Sequence, residues 1–226
     1  GLSTLRNGEL QGVVIMAGAS ALYAVVCAAL FGNTVIALLM IVIVWAPTLL
    51  LCIGLRATSS QALTLTFGAM LAAAGVLVFH LVVGDTGQWW RQIFDQLVAS
   101  GLSGLGEAPD RNAVVLLVKM LDAAAPMMAG LLAGAILSSA YVMTLLARWF
   151  HSVLDNPGGF GQEFRSLSLD YKVAIAVVVV AGLVWFSGDI FGGFARDILF
   201  LAVVLYLFQG LAVAHGVVAQ LGASIG

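Results

Sequence analysis

The sequence predicts an all-α, polytopic transmembrane helix bundle of about six spans, with one amphipathic interfacial helix, forming one domain over residues 1–226. Three observations predict it. Of the 226 residues, 62% are hydrophobic and 9% charged, whereas soluble domains carry roughly 25% charged residues. A soluble chain of this size could not hide so much apolar surface from water. No charge occurs between Glu9 and Arg56, although about 20 apolar residues suffice to cross a bilayer. Finally, a polar, tryptophan-bearing segment of helical periodicity interrupts the apolar runs after the third of them.

Taken in order, the uncharged run after Glu9 divides at "FGN", residues 31–33, where Gly and Asn act as breakers. The first two spans are thus about Gly12–Leu30 and Thr34–Leu55, with Pro47 expected to kink the second by removing a backbone donor. A third span runs from about Ser60 to Val83. In the long connection from Gly84 to Asn112, Trp89, Trp90, Ile93, Phe94, Leu97 and Val98 share one helical face, while Gln88, Arg91, Gln92, Asp95 and Gln96 take the other. That pattern predicts a helix over 88–99 lying in the membrane interface, or else a cap packed over the bundle.

Asp110 is placed to cap the next helix. The stretch Arg111–Phe150 would be about 60 Å long as one helix, twice the hydrocarbon thickness, so Pro126 is expected to divide it. The first piece reads as an interfacial or re-entrant helix, and the second, about Pro126–Ala147, as the fourth span. A polar stretch turns at Pro157-Gly158-Gly159, the fifth span covers about Val173–Phe186, and "SGDIFGGFARD" reads as a turn with Asp189, Arg196 and Asp197 in solvent. The sixth span runs from near Ile198 to about Ala219, with a break expected at Gly210.

Charge sets the expected orientation. Six spans place Arg6, Arg56, Arg148, Arg165 and Lys172 on one side, and Arg91, Arg111 and Arg196 on the other with the acids of the long connection. Basic loops stay cytoplasmic, so the 151–172 loop is expected inside and the tryptophan helix outside. The chain starts "GLSTLRNGEL", with neither an initiator Met nor a signal-peptide pattern; a truncation at the N-terminus is the expectation.

Several function classes are disfavoured. The nine basic residues are scattered, with no cluster able to track nucleic acid. Cys27 and Cys52 lie in apolar runs without metal-ligand spacing, and neither a metal nor a cofactor is expected. Zinc-protease, nucleophile-elbow and Walker motifs are lacking, so the chain does not read as an enzyme.

Polar residues inside spans are expensive and usually face the bundle interior. Three are candidate ligand-binding residues: His80, one turn from the outer end of the third span, and Gln209 and His215 in the last. Two of them have a plainer reading: His80 reaching the headgroups, Gln209 bridging two helices. Gln209 and His215 are six residues apart, on different faces of an unbroken helix; only an unwound Gly210 would bring them to one cavity.

Three stretches, "GLSTLRNGELQG", "ARWFHSVLDNPGGFGQEFRSLSL" and "FQGLAVAHG", together resemble the YybS-like family of predicted bacterial integral-membrane proteins, a domain of unknown function. The most specific piece is the "NPGGF…EF" loop, matched by Asn156, Pro157, Gly158, Gly159, Phe160, Glu163 and Phe164. That family is similar in turn to the substrate-binding S components of energy-coupling-factor transporters. This resemblance implies a small-molecule binding or uptake subunit of the bacterial inner membrane, working with a partner membrane protein or ATPase module. The docking face of S components lies on a first helix with no counterpart here, so it maps to no residue of this chain. The alternative is a non-transporting scaffold that docks a partner protein through the cytoplasmic 151–172 loop.

Overall fold

A computed structural model describes residues 1–103, 110–186 and 188–222. Those residues are helical, with no strand among them, and five helical segments are long and apolar enough to cross a membrane. This is the all-α polytopic bundle the hydropathy predicts.

A short α1 (Leu2–Asn7) precedes α2 (Glu9–Phe31). Arg56 Nη1 donates to the carbonyls of Thr4 (3.1 Å) and Leu5 (3.0 Å), pinning its own helix to the end of α1, where the Thr4 carbonyl also accepts the Gly8 N–H. In α2 only Gly12 and Cys27 are buried, so the remainder of its surface is available to lipid. Its Ala17 and Ala21 face outward, uncovered by this chain.

The second span is α3 (Val35–Met40), a π-helical turn (Ile41–Trp45) and α4 (Ala46–Thr58). The predicted irregularity at Pro47 takes the form of that wide turn, immediately before it. Pro47 has no N–H to offer the preceding turn, which widens there, and Thr48 Oγ1 bonds back to the Val44 carbonyl one turn before it at 2.7 Å. Local π adjustment is one way a span accommodates a missing donor.

The third span, α5 (Gln61–Val83), starts at Ser60, whose side chain accepts from the Leu63 N–H. It leads to α6 (Thr86–Ser103), the tryptophan helix. A second amphipathic helix, α7 (Arg111–Ala124), is capped by Asp110 as expected, the Asn112 N–H donating to its Oδ1 at 3.0 Å. The chain turns at Pro126 through a short 3-10 segment (Ala125–Met127) into α8 (Met128–Asp155). The amphipathic α6 rests against that segment, α7 and the ends of α5 and α8.

The remaining elements are α9 (Gly159–Arg165), α10 (Tyr171–Phe186) and α11 (Gly188–Gln220). At 16 residues, α10 is about 24 Å long, short for a span and apolar beyond Tyr171 and Lys172 of its first turn. The break expected at Gly210 does not occur: α11 is continuous from Gly188 to Gln220. It also begins earlier than expected, because residues 188–197 are helix and not a turn.

The core lies where α4, α5, α8 and α11 meet, around Leu51, Leu65, Leu137, Tyr141, Leu205 and Phe208. The Tyr141 and Phe208 rings pack edge to face at 4.7 Å, and the Tyr141 hydroxyl donates to Gln61 Oε1 at 3.3 Å. A buried hydroxyl so partnered costs the bundle little and fixes the register of α5 against α8.

Candidate functional site

A cavity in the bundle lies under α6. On α5 the lining residues are Gly68, Leu71, Ala72, Gly75, Val76 and Phe79, spaced i, i+3, i+4, i+7, i+8 and i+11, which is one helical face. On α8 they are Ala129, Leu132, Ala133, Ile136, Leu137 and Ala140, at the same spacing. Eleven residues of rise make each face about 16 Å long, half the hydrocarbon thickness. Val42 of the π turn, with Pro47, Leu50 and Leu51, forms the third wall, and Trp89 and Trp90 of α6 close the end.

The cavity is half open along the bundle surface, where Val42, Leu50, Leu71 and Leu132 are exposed, and its volume is about 540 Å³, within the range of small-molecule sites. Small side chains account for it: Gly75 has no neighbouring atom within 4 Å of where a Cβ would stand. Every lining side chain is hydrocarbon or aromatic, and the indole N–H groups are the sole polar side-chain atoms. Among the described residues no charged side chain lines this cavity, so its walls suit an apolar occupant.

Beside the cavity sits a feature the sequence reading missed. Asp197, expected in a solvated turn, is completely buried. Its Oδ2 lies 2.7 Å from His80 Nε2, and its Oδ1 accepts the Gly130 N–H at 2.8 Å. One carboxylate thereby ties α11 to both α5 and α8. The Gly130 N–H belongs to the first turn of α8, where backbone donors lack intrahelical partners and a negative charge is favoured. A side chain at position 130 would not fit: its Cβ would stand 2.6 Å from Asp197 Cα. The His80 ring packs edge-on against Phe194 at 5.7 Å.

His80 is therefore partnered within the protein and does not simply reach toward headgroups. The pair also abuts the cavity. Phe79, next to His80, lines the cavity and packs edge-on against Trp89 at 5.3 Å, and Ala129, next to Gly130, lines it from α8.

Comparisons report no match. No family model, curated protein or solved structure is similar to this chain.

The other candidates lie at the opposite end of the bundle. Gln209 Oε1 accepts the Leu169 N–H at 3.3 Å, fastening the connection between α9 and α10 onto α11. His215 is exposed, its ring 6.2 Å from that of Phe164. Neither residue lines the cavity, and the unbroken α11 keeps them on separate faces, so His80, Gln209 and His215 do not converge on one site.

The 151–172 loop is folded against the bundle. Gly158, at φ +86°, makes the turn into α9, a conformation that glycine adopts without strain. Arg148 Nε donates to Glu163 Oε2 at 2.8 Å, and its Nη2 donates to Oε1. The Phe160 N–H donates to Ser152 Oγ at 3.0 Å, and Phe160 stacks on Phe164. Asn156, Pro157 and Gly158 are exposed at the apex, whereas Gly159, Phe160, Glu163 and Phe164 are half-buried.

Proposed function

We propose that this chain is a multi-pass subunit of the bacterial inner membrane that binds a small apolar molecule in the cavity beneath α6, for uptake with a partner membrane protein or ATPase module. The observation that carries this reading is the cavity itself: about 540 Å³ with, among the described residues, no charged side chain in its lining. The tryptophan helix over it acts as a lid at the interface, where indole rings sit favourably. No polar vitamin is implied. The cavity selects for hydrocarbon or aromatic surface, so its occupant is a compound that partitions into the bilayer.

The scaffold reading draws less support, because the most specific side chains of the 151–172 loop are engaged internally. Glu163 is taken by Arg148, and Phe164 packs between Phe160 and His215.

Native mass spectrometry of the protein extracted in mild detergent tests the binding reading. The parent should carry a stoichiometric small-molecule adduct, and the Gly75→Leu variant should lose it. Position 75 opens onto free space, so the new side chain fills the cavity while leaving the fold intact. An adduct retained by Gly75→Leu places the ligand elsewhere, and a bare parent mass counts against the reading.

Orientation has its own test. Both native cysteines are buried, so a membrane-impermeant maleimide meets little background. Asn156→Cys should react only after the cytoplasmic face is opened, and Gln88→Cys should react in intact cells. The reverse pattern would invert the topology.

A further inference from the structure

We infer that the groove between α5, α10 and α11 holds one acyl chain of an anionic phospholipid, with the lipid phosphate on Lys172. This site is independent of the cavity reading. The groove touches α5 at Ala69 and Ala73, whereas the cavity under α6 uses another face of that helix, with Gly68, Ala72 and Gly75.

The groove has a volume of about 360 Å³ and almost wholly apolar walls. On α11, Leu201 and Leu205 are buried and form its floor. One wall is α10, which packs along α11 and presents Val173 and Val177 one turn apart. The other wall is α5, where the small side chains of Ala69 and Ala73 leave room. Met70 on the rim is exposed, so the groove opens on the lipid-facing surface. From Lys172 to Val180 the α10 wall is about 12 Å long, less than half of the hydrocarbon thickness. It therefore matches a chain that enters from one leaflet.

The polar end of the groove decides the headgroup. Among the described lining residues, Thr66 and Lys172 alone have polar side chains. The Thr66 hydroxyl donates to the Ala62 carbonyl of its own helix at 2.9 Å. Lys172 is exposed, and among the described residues no ion pair or side-chain hydrogen bond engages its ammonium. Nearby acids are directed elsewhere: Asp170 Oδ1 accepts the backbone N–H of Lys172 at 2.9 Å, and Glu163 is taken by Arg148. Because α10 is shorter than the hydrocarbon layer, its first turn lies at the boundary. Tyr171, 70% exposed, suits that level, and the lysine stem can follow the apolar wall while its ammonium reaches the phosphates. An uncompensated cation at the mouth of an apolar groove complements a lipid whose anionic phosphate and acyl chain arrive together. Phosphatidylcholine offers the same chain, but its choline cation offsets the attraction.

The experiment uses the full chain in phosphatidylcholine nanodiscs doped with a phosphatidylglycerol that carries a diazirine in one acyl chain. A phosphatidylcholine with the same chain is the reference probe, and crosslinks are mapped by peptide mass spectrometry. The anionic probe should label groove residues such as Ala73 and Val177 about fivefold more than the reference, the scale of one lysine acting on an anionic lipid. Lys172→Gln should remove that preference, and Lys172→Arg should keep it. Ala176→Trp, which puts an indole into the groove, should lower labelling by both probes and tests the groove without touching Lys172. Equal labelling by the two probes in the parent would mean that the groove takes bulk lipid only, and overturns the inference. A preference that survives Lys172→Gln overturns the assignment of the phosphate to Lys172. Labelling confined to other lipid-facing surfaces, or unchanged in Ala176→Trp, overturns the groove as the place where the chain sits.

Discussion

The His80→Ala protein is expected to be less stable than its parent by about 3 kcal/mol at neutral pH, the scale for removing one member of a buried pair. The substitution strands Asp197, which is fully buried, with an oxygen that has lost its 2.7 Å partner in a setting where water cannot take over. The packing of the imidazole against Phe194 is lost as well. Removing both ionisable groups leaves no stranded charge. The His80→Ala/Asp197→Ala double variant should therefore recover part of the loss, and a double-mutant cycle isolates the coupling between the two. Unfolding in mild detergent, followed by helical circular dichroism against a denaturant, supplies the four stabilities. Additive losses would mean that the two side chains do not interact as described.

Gly130→Ala should cost about 1–3 kcal/mol by the same measurement, the range for overpacking a filled site, although alanine is the better helix former. The added methyl would meet Asp197 Cα at 2.6 Å and its carbonyl oxygen at 2.9 Å. Those are backbone atoms, so relief requires α8 and α11 to separate. That separation also stretches the Gly130–Asp197 hydrogen bond. Gly182→Ala is the control: that glycine has no atom within 4 Å of the new methyl position, and the change should be neutral or gain up to about 1 kcal/mol from helix propensity. Equal stabilities for the two variants would show that α8 and α11 are not in close contact.

Hydropathy and breakers alone made most of the bundle legible. The breaks after Phe31 and at Pro126, the Asp110 cap and the two-faced tryptophan helix all follow from local chemistry, and the structure has them. The kink expected at Pro47 resolved into a π turn, a choice between backbone solutions that side-chain pattern does not dictate. Local signals misled at the start of α11. "SGDIFGGFARD" combines the glycines and charges of a turn, but burial of Asp197 against α5 and α8 stabilises it as helix. The partners of Asp197 are 117 and 67 residues away in sequence, and periodicity carries no information over such separations. One clue was present. His80 sits a turn inside its span, and Asp197 at the head of another on the same expected side, so opposite titratable groups could have been paired at one depth. Likewise Gln209 was open to a bridging role, but its acceptor contact with the Leu169 N–H required knowing how the loop after α9 folds back.

The order in which the Asp197 partners occur along the chain bears on how the protein is made. Synthesis runs from the N-terminus, so α5 and α8 enter the bilayer before α11. A lone aspartate costs an inserting helix up to about 3 kcal/mol at its centre, and Arg196 adds to that burden. By the time α11 leaves the ribosome, His80 and the Gly130 N–H are already in place to receive the carboxylate. The apolar α2, by contrast, has the composition to insert unaided. The last helix is thus the one whose insertion depends on its predecessors, and a ribosome-bound intermediate ending before residue 188 would leave His80 waiting for its partner.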